Sequence, residues 1–324
     1  MSSRRFLVAP DSFKGTFDAF AVAEAIAAGV EAGGGLADRC PVADGGEGTM
    51  AVLLAALGGE RRRVGVHDPL RRPIEASFAL LGDGETAVVE TAEASGLSLV
   101  APEERDAERA DTFGTGELIA AAIASGARKV LVAVGGSATT DGGKGALEAL
   151  RSAGALGAAS IEVLCDVQAP YEDAAPHFAP QKGADAAAVE RLTARLGQLA
   201  SELPRDPRGV AMTGCAGGLS GALWAHGAEL GPGAAFVLEA IGFDARLAAA
   251  DTVVSGEGRF DAQSMRGKVV GEIATRCERA GKPLHLVVGG TRLDEGPPAA
   301  VSSIAQAESL EELRREGFRL ANSR

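Results

Sequence analysis

Residues 130–150, VLVAVGGSATTDGGKGALEAL, constrain the fold more than any other part of the chain. The segment opens with an apolar run typical of a buried strand and closes as a helix. Between them lies a loop of glycine, serine, threonine and aspartate, the residue types that tight turns and close backbone approaches favour. Short apolar runs followed by polar loops and helical patterns recur elsewhere in the chain. This alternation predicts parallel sheets covered by helices.

The two ends of the chain show this alternation most clearly. Apolar runs predict strands at residues 6–9, 40–43, 252–255 and 284–288, and Thr16 is a candidate cap for the helix after the first strand. Apolar residues at helical spacing predict further helices over residues 50–57, 186–202 and 269–280. Both ends therefore predict an α/β domain with a parallel sheet.

The pattern changes in the middle of the chain. Residues 61–92 indicate a strand meander with an Asp-Gly turn near residues 82–84. We predict an α/β fold of two α/β domains. The first is a discontinuous Rossmann/flavodoxin-like parallel-sheet domain of residues 1–63 plus 251–324, and the second is an inserted mixed α/β domain of residues 64–250.

Composition and charge exclude several classes of partner. A formal net charge of −12 argues against nucleic acid and anionic membranes, because both bind basic surfaces. One tryptophan and one tyrosine leave few aromatic side chains for stacking bases. No apolar run reaches the roughly 18 residues of a membrane span, and the apolar run near the start is too short for a signal peptide. We therefore expect a cytoplasmic protein that binds small molecules.

The cysteines and histidines carry no metal or disulfide motif. The cysteines lie far apart and form no C-x-x-C pair, which predicts isolated buried thiols in a reducing compartment: Cys40, Cys165, Cys215 and Cys277. The four histidines are scattered without H-E-x-x-H spacing, which favours structural or surface roles.

Polar loops of one chemical character lie at the ends of the predicted strands. They contain the segments APDSFKG, ADGGEGT, GGSATTDGG, CDVQAP, SGEGRFDAQS and GGTRLDEG. Any one of them has the composition of an ordinary turn. Because ligands of open α/β sheets bind beyond the carboxyl ends of the strands, we expect at least three of these loops to meet in one polar cleft.

Phosphoryl transfer is the chemistry that these loops suit. Glycine-rich turns and helix N-termini bring backbone N–H groups to anionic oxygens. Carboxylates bind Mg²⁺, a cation stabilises charge in the transition state, and an aspartate orients or deprotonates the attacking hydroxyl. The candidate cations are Lys14, Lys144, Lys182, Arg259 and Lys268, and the candidate anions are Asp11, Asp44, Glu47, Asp141, Asp166, Glu257 and Asp261.

Other phosphate-binding and catalytic motifs do not fit. In a P-loop alignment Ala138 occupies the first glycine position, and Gly145 follows Lys144 in place of serine or threonine. The loop after the first strand lacks the G-x-G-x-x-G of a dinucleotide site, and no G-x-S-x-G elbow occurs. Protein-kinase chemistry needs a catalytic-loop asparagine, and the only asparagine is Asn322 in the tail.

The polar segments occur in the order found in one known family. APDSFKGT, ADGGEGT, TFGTGELI, GGSATTDGGKGAL, CDV with PQKGA downstream, AGGL and SGEGRFDAQSMRGK together resemble the bacterial glycerate kinases over nearly the whole chain. The resemblance implies an active site in the cleft between two α/β domains. It also implies transfer of the ATP γ-phosphoryl group to a hydroxyl of D-glycerate with Mg²⁺, usually giving 2-phosphoglycerate. Departures from the family pattern lie at Gln168 and Ala169 after CDV, and at Cys215 and Ser220.

With this resemblance the candidate residues receive roles. We assign catalysis to Lys14, Asp44 and Asp166. Substrate and nucleotide binding is assigned to Ser12, Gly45, Gly46, Gly135, Gly136, Ser137, Thr139, Thr140, Gly142, Gly143, Gln181 and Lys182, and metal binding to Asp141, Glu257 and Asp261. A functional role is favoured for Lys14, because a positive charge at the start of a helix is electrostatically unfavourable. The alternatives are a solvated lysine, turn aspartates that bond to their own backbone, and glycine turns that only pack helix against sheet.

Two further functions stay open beside glycerate kinase. One is a kinase for another small hydroxy acid, and the other is a non-catalytic sensor of sugar acids or nucleotides. The many acidic loops argue against the sensor, which has no need of metal-binding carboxylates. Also open are the hydroxyl that is phosphorylated, the substrate held by residues 135–143, and assembly into a homo-oligomer.

Overall fold

The computed structural model describes residues 3–261, 264, 268–292 and 299–323. The chain packs into two compact units, which we call unit 1 (Met1–Asp44 with Val237–Arg324) and unit 2 (Gly45–Phe236). The packing therefore divides the chain near residues 44 and 236, whereas the domain boundaries expected from the sequence, near 63 and 250, stay a prediction.

Strands and helices alternate over much of both units. The strands are β1 (Arg5–Pro10), β2 (Leu36–Arg39), β3 (Gly59–His67), β4 (Pro73–Leu81), β5 (Thr86–Glu90), β6 (Lys129–Ala133), β7 (Ser160–Cys165), β8 (Glu229–Pro232), β9 (Thr252–Gly256), β10 (Phe260–Asp261), β11 (Leu284–Val288), β12 (Thr291–Arg292) and β13 (Ser303–Gln306). The α-helices are α1 (Ala19–Ala32), α2 (Thr49–Leu57), α3 (Thr91–Ser95), α4 (Phe113–Ala124), α5 (Lys144–Ser152), α6 (Ala174–Phe178), α7 (Ala186–Glu202), α8 (Cys215–Ala225), α9 (Gly233–Ala240), α10 (Phe243–Ala249), α11 (Val269–Ala280) and α12 (Leu310–Asn322).

Unit 1 is built on a parallel sheet with the strand order β2-β1-β9-β11-β13. This is the order of flavodoxin-like sheets, in which ligands bind at the carboxyl ends of the strands. Helices α1 and α12 pack together at close range: a Cβ atom on Gly29 would lie 1.9 Å from the Arg314 carbonyl oxygen. Only glycine permits this approach of the two backbones.

Unit 2 is built on a mixed sheet with the strand order β3-β4-β5-β6-β7-β8. The pairs β3–β4 and β4–β5 are antiparallel, and β5 to β8 are parallel. Its core contains buried side chains from the sheet and from α4 and α5, including Phe78, Val89, Leu118, Val132 and Leu150. The predicted α/β class, with one parallel and one mixed sheet, is confirmed.

Most predicted elements are present, with shifts that have local causes. The second strand is β2, which ends before the predicted residues 40–43. Cys40 and Val42 still donate backbone hydrogen bonds to β1, and Pro41 between them is tolerated because β2 is an edge strand, which has no neighbouring strand on its other side among the described residues. The first helix is capped by Asp18 rather than Thr16, since the Asp18 carboxylate accepts the Ala21 N–H at 2.7 Å. Helices α7 and α11 match the predicted ranges.

Within the described residues, no helix is both long enough and apolar enough to cross a membrane.

Candidate active site

The carboxyl end of the unit 1 sheet brings together two residues predicted to be catalytic. Lys14 follows β1, and Asp44 follows the segment after β2. The Lys14 Nζ atom lies 3.3 Å from Asp44 Oδ2. The lysine side chain is 53% exposed, whereas that of Asp44 is only 3% exposed. A buried carboxylate is therefore paired with a cation that solvent can still reach.

Asp11 is a third member of this cluster, and the assignment of roles from the sequence left it out. It is buried, and its carboxylate accepts the Ser12 N–H at 2.6 Å. Burial, and to a smaller extent the nearby Asp44 charge, raise the pKa of Asp11 to about 8, although Lys14 and the Ser12 N–H act in the opposite direction. Asp11 therefore holds a proton near neutral pH.

Glu257 follows β9 and faces the same group of charges. Burial raises its pKa, whereas a hydrogen bond from Ser264 and the charge of Lys268 lower it. Its Oε1 atom is buried and has no hydrogen-bond partner among the described residues. Asp261 lies on β10, where its carboxylate accepts the Ser264 N–H at 3.3 Å. The structure thus places both predicted metal ligands of this segment on unit 1.

A pocket of about 640 Å³ opens among these loops. Its charged lining residues are Asp11, Lys14, Glu257, Arg259, Asp261, Lys268 and Glu308, and Ser12 also lines it. Cations and carboxylates thus line the same cavity. This composition suits a ligand that carries both anionic groups and a bound cation.

The raised pKa of Asp11 predicts a pH-dependent stability. The folded state binds this proton more tightly than the unfolded state, whose pKa is near 3.8. The stabilisation is therefore complete below about pH 4 and is lost as pH rises towards 8. We expect Asp11→Asn to raise the free energy of unfolding by about 1–3 kcal/mol at pH 9 and by less at pH 5.

Thermal unfolding of wild type and variant at pH 5 and pH 9 checks this expectation. The exposed Glu278→Gln on α11 is the control in the same unit, and it should change neither value. An equal effect of Asp11→Asn at both pH values would show that the Asp11 pKa is ordinary.

In unit 2, the glycine-rich loop between β6 and α5 contacts the second glycine-rich loop. A Cβ atom on Gly135 would lie 2.6 Å from Gly46 Cα, so the two backbones touch. Gly45, Gly136, Gly142 and Gly143 all have φ between +66° and +94°, a conformation that glycine adopts without strain. The structure therefore brings Gly135 of the one loop against Gly46 of the other, whereas Gly142 and Gly143 pack against Tyr171 and Ala222.

Lys182 holds the β6–α5 loop from inside. It is buried, and its Nζ donates to Ser137 Oγ at 3.1 Å and to the Thr139 carbonyl at 2.6 Å. Burial lowers the pKa of Lys182 to about 8, and its interactions with Asp141, Cys215 and Asp166 raise that pKa in part. Asp166 thus lies within electrostatic range of this lysine at the end of β7. Gln181, in contrast, is exposed.

The threonines of the loop face the protein interior. Thr139 and Thr140 are fully buried. The Thr139 hydroxyl donates weakly to the Ala216 carbonyl at 3.4 Å, and the Thr140 hydroxyl has no hydrogen-bond partner within the described chain. Ala216 and Gly217 have positive φ, and a Cβ on Gly217 would lie 2.0 Å from the Thr139 carbonyl oxygen. Backbone groups and Ser137 therefore offer the more accessible binding atoms.

Asp141 is an internal tether of the loop. Its carboxylate accepts the Thr112 hydroxyl at 2.8 Å and the backbone N–H groups of Thr112, Gly143 and Gly145 at 3.0, 3.2 and 2.9 Å. The side chain is completely buried. Its assignment to a metal stays a prediction, and this geometry favours a structural role.

The prediction of buried free thiols is confirmed for all four cysteines. Two of them are close in space, since the neighbouring Cys215 thiol and burial raise the pKa of Cys165. The two residues are distant in the sequence, and the packing of α8 against β7 makes them neighbours.

Sequence reasoning missed Glu90, which ends β5. Its side chain is buried, and its Oε1 atom accepts the Met50 N–H at 2.7 Å. The signal was available, because Glu90 follows the apolar residues Ala87, Val88 and Val89. A charged residue at the end of a buried strand is costly unless it has a partner or a function.

Comparison with known proteins identifies the class of molecule. A family model described as the glycerate kinase family matches residues 6–155 and 151–320. The chain is 36% identical to glycerate 2-kinase of Escherichia coli K12, covering 90% of this chain and 87% of that protein. It is 36% identical to glycerate kinase of Haemophilus influenzae, covering 97% and 94%. A crystal structure of a Salmonella typhimurium LT2 protein assigned as glycerate kinase 2 has a TM-score of 0.82, 33% identity and coverage of 99% and 98%.

The chain is therefore a kinase, an enzyme that transfers phosphoryl groups to small molecules. It belongs to the glycerate kinase family, which confirms the resemblance seen in its motifs. Membership of a kinase family implies ATP as the phosphoryl donor.

Proposed function

We propose that the protein transfers the γ-phosphoryl group of ATP to the 2-hydroxyl of D-glycerate, giving 2-phosphoglycerate. The name of the Escherichia coli relative, glycerate 2-kinase, supports position 2. The observation that carries the proposal is the Lys14–Asp44 pair at 3.3 Å, next to the buried carboxyls of Asp11 and Glu257. A cation beside clustered carboxylates is the arrangement that phosphoryl transfer to a hydroxyl needs.

Lys14 and Asp44 have complementary roles in this proposal. Asp44 accepts a hydrogen bond from the attacking hydroxyl, orients it towards phosphorus and takes its proton. Lys14 places its charge against the equatorial oxygens of the transferring group, where negative charge is shared in the transition state. Because the transition state is loose, positioning and charge supply most of the rate. Ser12 is proposed to donate a hydrogen bond to the same anionic group.

The residues of unit 1 suit a magnesium ion bound together with a nucleotide. Mg²⁺ takes oxygen ligands and usually has one or two carboxylates, the remaining positions being filled by phosphate oxygens and water. Glu257, with its unpartnered buried Oε1, and Asp261 are the proposed protein ligands. Within the described residues, no three histidine, cysteine or acidic side chains form a complete metal site. When bound, Mg²⁺ neutralises charge on the phosphates.

We propose that the unit 2 loops bind anionic groups of the substrates. Ser137 and the backbone N–H groups of Gly135 and Gly136 are the proposed binding atoms, together with Gly45 and Gly46 of the neighbouring loop. The N–H groups of Gly142 and Gly143 donate to the Gly217 carbonyl and to Asp141, so these two glycines are proposed to shape the binding loop. Lys182, Thr139 and Thr140 support the shape of the β6–α5 loop from inside. Asp166 is proposed to act on the same substrate groups from the end of β7.

The proposed setting is cytoplasmic, with no nucleic acid or membrane partner. An enzyme that consumes ATP and whose four cysteines are free thiols suits a reducing compartment that holds ATP. The net charge of −12 opposes binding to polyanions.

The test is an assay of ADP release with Mg²⁺, ATP and D-glycerate, each omitted in turn. We expect turnover only when all three are present. Proton-coupled phosphorus NMR of the product then identifies the acceptor, since a phosphate on carbon 2 couples to one proton and one on carbon 3 couples to two. A triplet would contradict position 2. Turnover with another small hydroxy acid, but none with glycerate, would contradict the substrate.

A further inference from the structure

Glu90 is a buried acidic side chain that the proposed mechanism does not use. It is 5% exposed and ends β5, at the carboxyl end of the parallel part of the unit 2 sheet. Among the described residues, no lysine or arginine forms an ion pair with it. Its nearby charged groups are Glu93, Glu47 and, with the opposite sign, Arg61. Burying a carboxylate without an ion-pair partner costs free energy. The backbone hydrogen bond that the Glu90 side chain accepts therefore points to the role of this residue.

That contact fixes the first turn of α2. The helix begins after Gly48, which has a φ of +94° and no side chain to cap the exposed N–H groups. Glu90 Oε1 accepts the Met50 N–H at 2.7 Å and so supplies the cap from another strand. An ionised carboxylate at a helix N-terminus is favoured by both the hydrogen bond and the helix dipole.

The turn that Glu90 caps leads directly into the glycine-rich loop. Gly45 and Gly46 precede it in the chain, and the Gly46 backbone packs against Gly135. The Glu47 carboxylate lies 3.8 Å from where a Cβ atom on Gly136 would be. A movement of the α2 N-terminus would therefore displace both loops that are proposed to bind substrate.

We propose that Glu90 is a positioning residue for phosphoryl transfer, which acts by fixing the N-terminus of α2 and thereby the Gly45–Glu47 loop. The inference rests on the proposed function for its kinetic consequences only. Glu90 touches neither substrate in this proposal, so its loss lowers kcat and leaves both KM values nearly unchanged.

The charge state of Glu90 connects this positioning to pH. Burial is the main reason that the pKa of Glu90 is raised to about 7. The hydrogen bond from the Met50 N–H and the charge of Arg61 lower this pKa, and the charges of Glu93 and Glu47 raise it. Protonation removes the charge that strengthens the cap. Activity that depends on the ionised form therefore falls as pH drops through neutrality.

The experiment compares Glu90→Gln and Glu90→Leu with the control Glu93→Gln. Glu93 lies on α3 and also accepts a backbone N–H, from Ser77 at 3.0 Å, but it contacts neither loop directly. At pH 8.5 we expect kcat to fall threefold to tenfold in both Glu90 variants, with KM for ATP and glycerate changed less than threefold. The fall in kcat from pH 8 to pH 6 should be smaller in Glu90→Gln than in wild type. Glu93→Gln should keep the wild-type kcat at pH 8.5, and because it removes a charge that raises the pKa of Glu90, it should only shift the fall in kcat towards lower pH.

Hydrogen exchange of the Met50 amide gives a readout that does not depend on turnover. It should be at least tenfold faster in Glu90→Leu than in wild type and unchanged in Glu93→Gln. Wild-type kcat and pH profile in folded Glu90→Gln would overturn the proposal, and this variant suffices if Glu90→Leu does not fold. If the wild-type protein does not phosphorylate glycerate, the proposed function fails. Independently of that result, an unchanged exchange rate of the Met50 amide in Glu90→Leu would overturn the proposal that Glu90 fixes the N-terminus of α2.

Discussion

Replacing Lys14 by alanine is expected to lower the glycerate-dependent rate at least tenfold while leaving the protein folded. A tenfold loss corresponds to about 1.4 kcal/mol of transition-state stabilisation, a modest demand on a cation that faces developing phosphate charge. The Lys14 side chain is 53% exposed, but its partner Asp44 is only 3% exposed, so the substitution takes a cation away from a buried carboxylate and costs some stability. The rates are therefore compared at a temperature at which the melting curves show both proteins folded, so that the rate reports the chemistry.

Two companion variants make the Lys14 result specific. Lys14→Arg keeps the charge with a different shape and should recover part of the rate. Arg279→Ala removes one exposed positive charge from α11 of the same unit and should leave kcat and KM unchanged. Steady-state kinetics with ATP and D-glycerate measure all three. Wild-type kinetics in a folded Lys14→Ala variant would remove Lys14 from the mechanism.

The sequence predicted the unit 1 cluster well because one topological rule governs it. Parallel strands present their carboxyl ends at one edge of a sheet, so polar residues placed there converge without any knowledge of side-chain packing. Lys14 and Asp44 were found in this way, although 30 positions separate them in the chain. Asp11 lies at the same edge of the sheet, and only the degree of its burial could not be predicted from the sequence.

Burial in unit 2 was harder to predict, because it depends on partners that are remote in the chain. The sequence marks Asp141 and Lys182 as polar residues in loops, which are usually exposed. Both side chains are instead buried, because Thr112 forms a hydrogen bond with Asp141 and Ser137 forms one with Lys182. No local sequence pattern predicts such partners. The contact between Cys165 and Cys215 was missed for the same reason.

Replacing Asp141 by alanine is expected to destabilise the protein far more than the loss of the Lys14 side chain does. The change would leave four donors, three of them backbone N–H groups, without their acceptor in a fully buried site. Buried donors that lose their partners cost about 1–3 kcal/mol each in isolation, and partial relaxation reduces the sum, so we expect about 3–5 kcal/mol. For a unit of this size the melting temperature should fall by about 10 °C.

The same substitution separates a structural aspartate from a metal ligand. The control is Asp206→Ala, which removes an exposed aspartate from unit 2 and should change the free energy of unfolding by less than about 0.5 kcal/mol. Thermal unfolding without nucleotide or metal measures both variants. If Asp141→Ala melts with wild type but needs more Mg²⁺ for turnover, its carboxylate binds the ion and the tether is unimportant. A large loss of stability in the absence of metal instead assigns Asp141 to the loop, because the four hydrogen bonds exist before any ligand arrives.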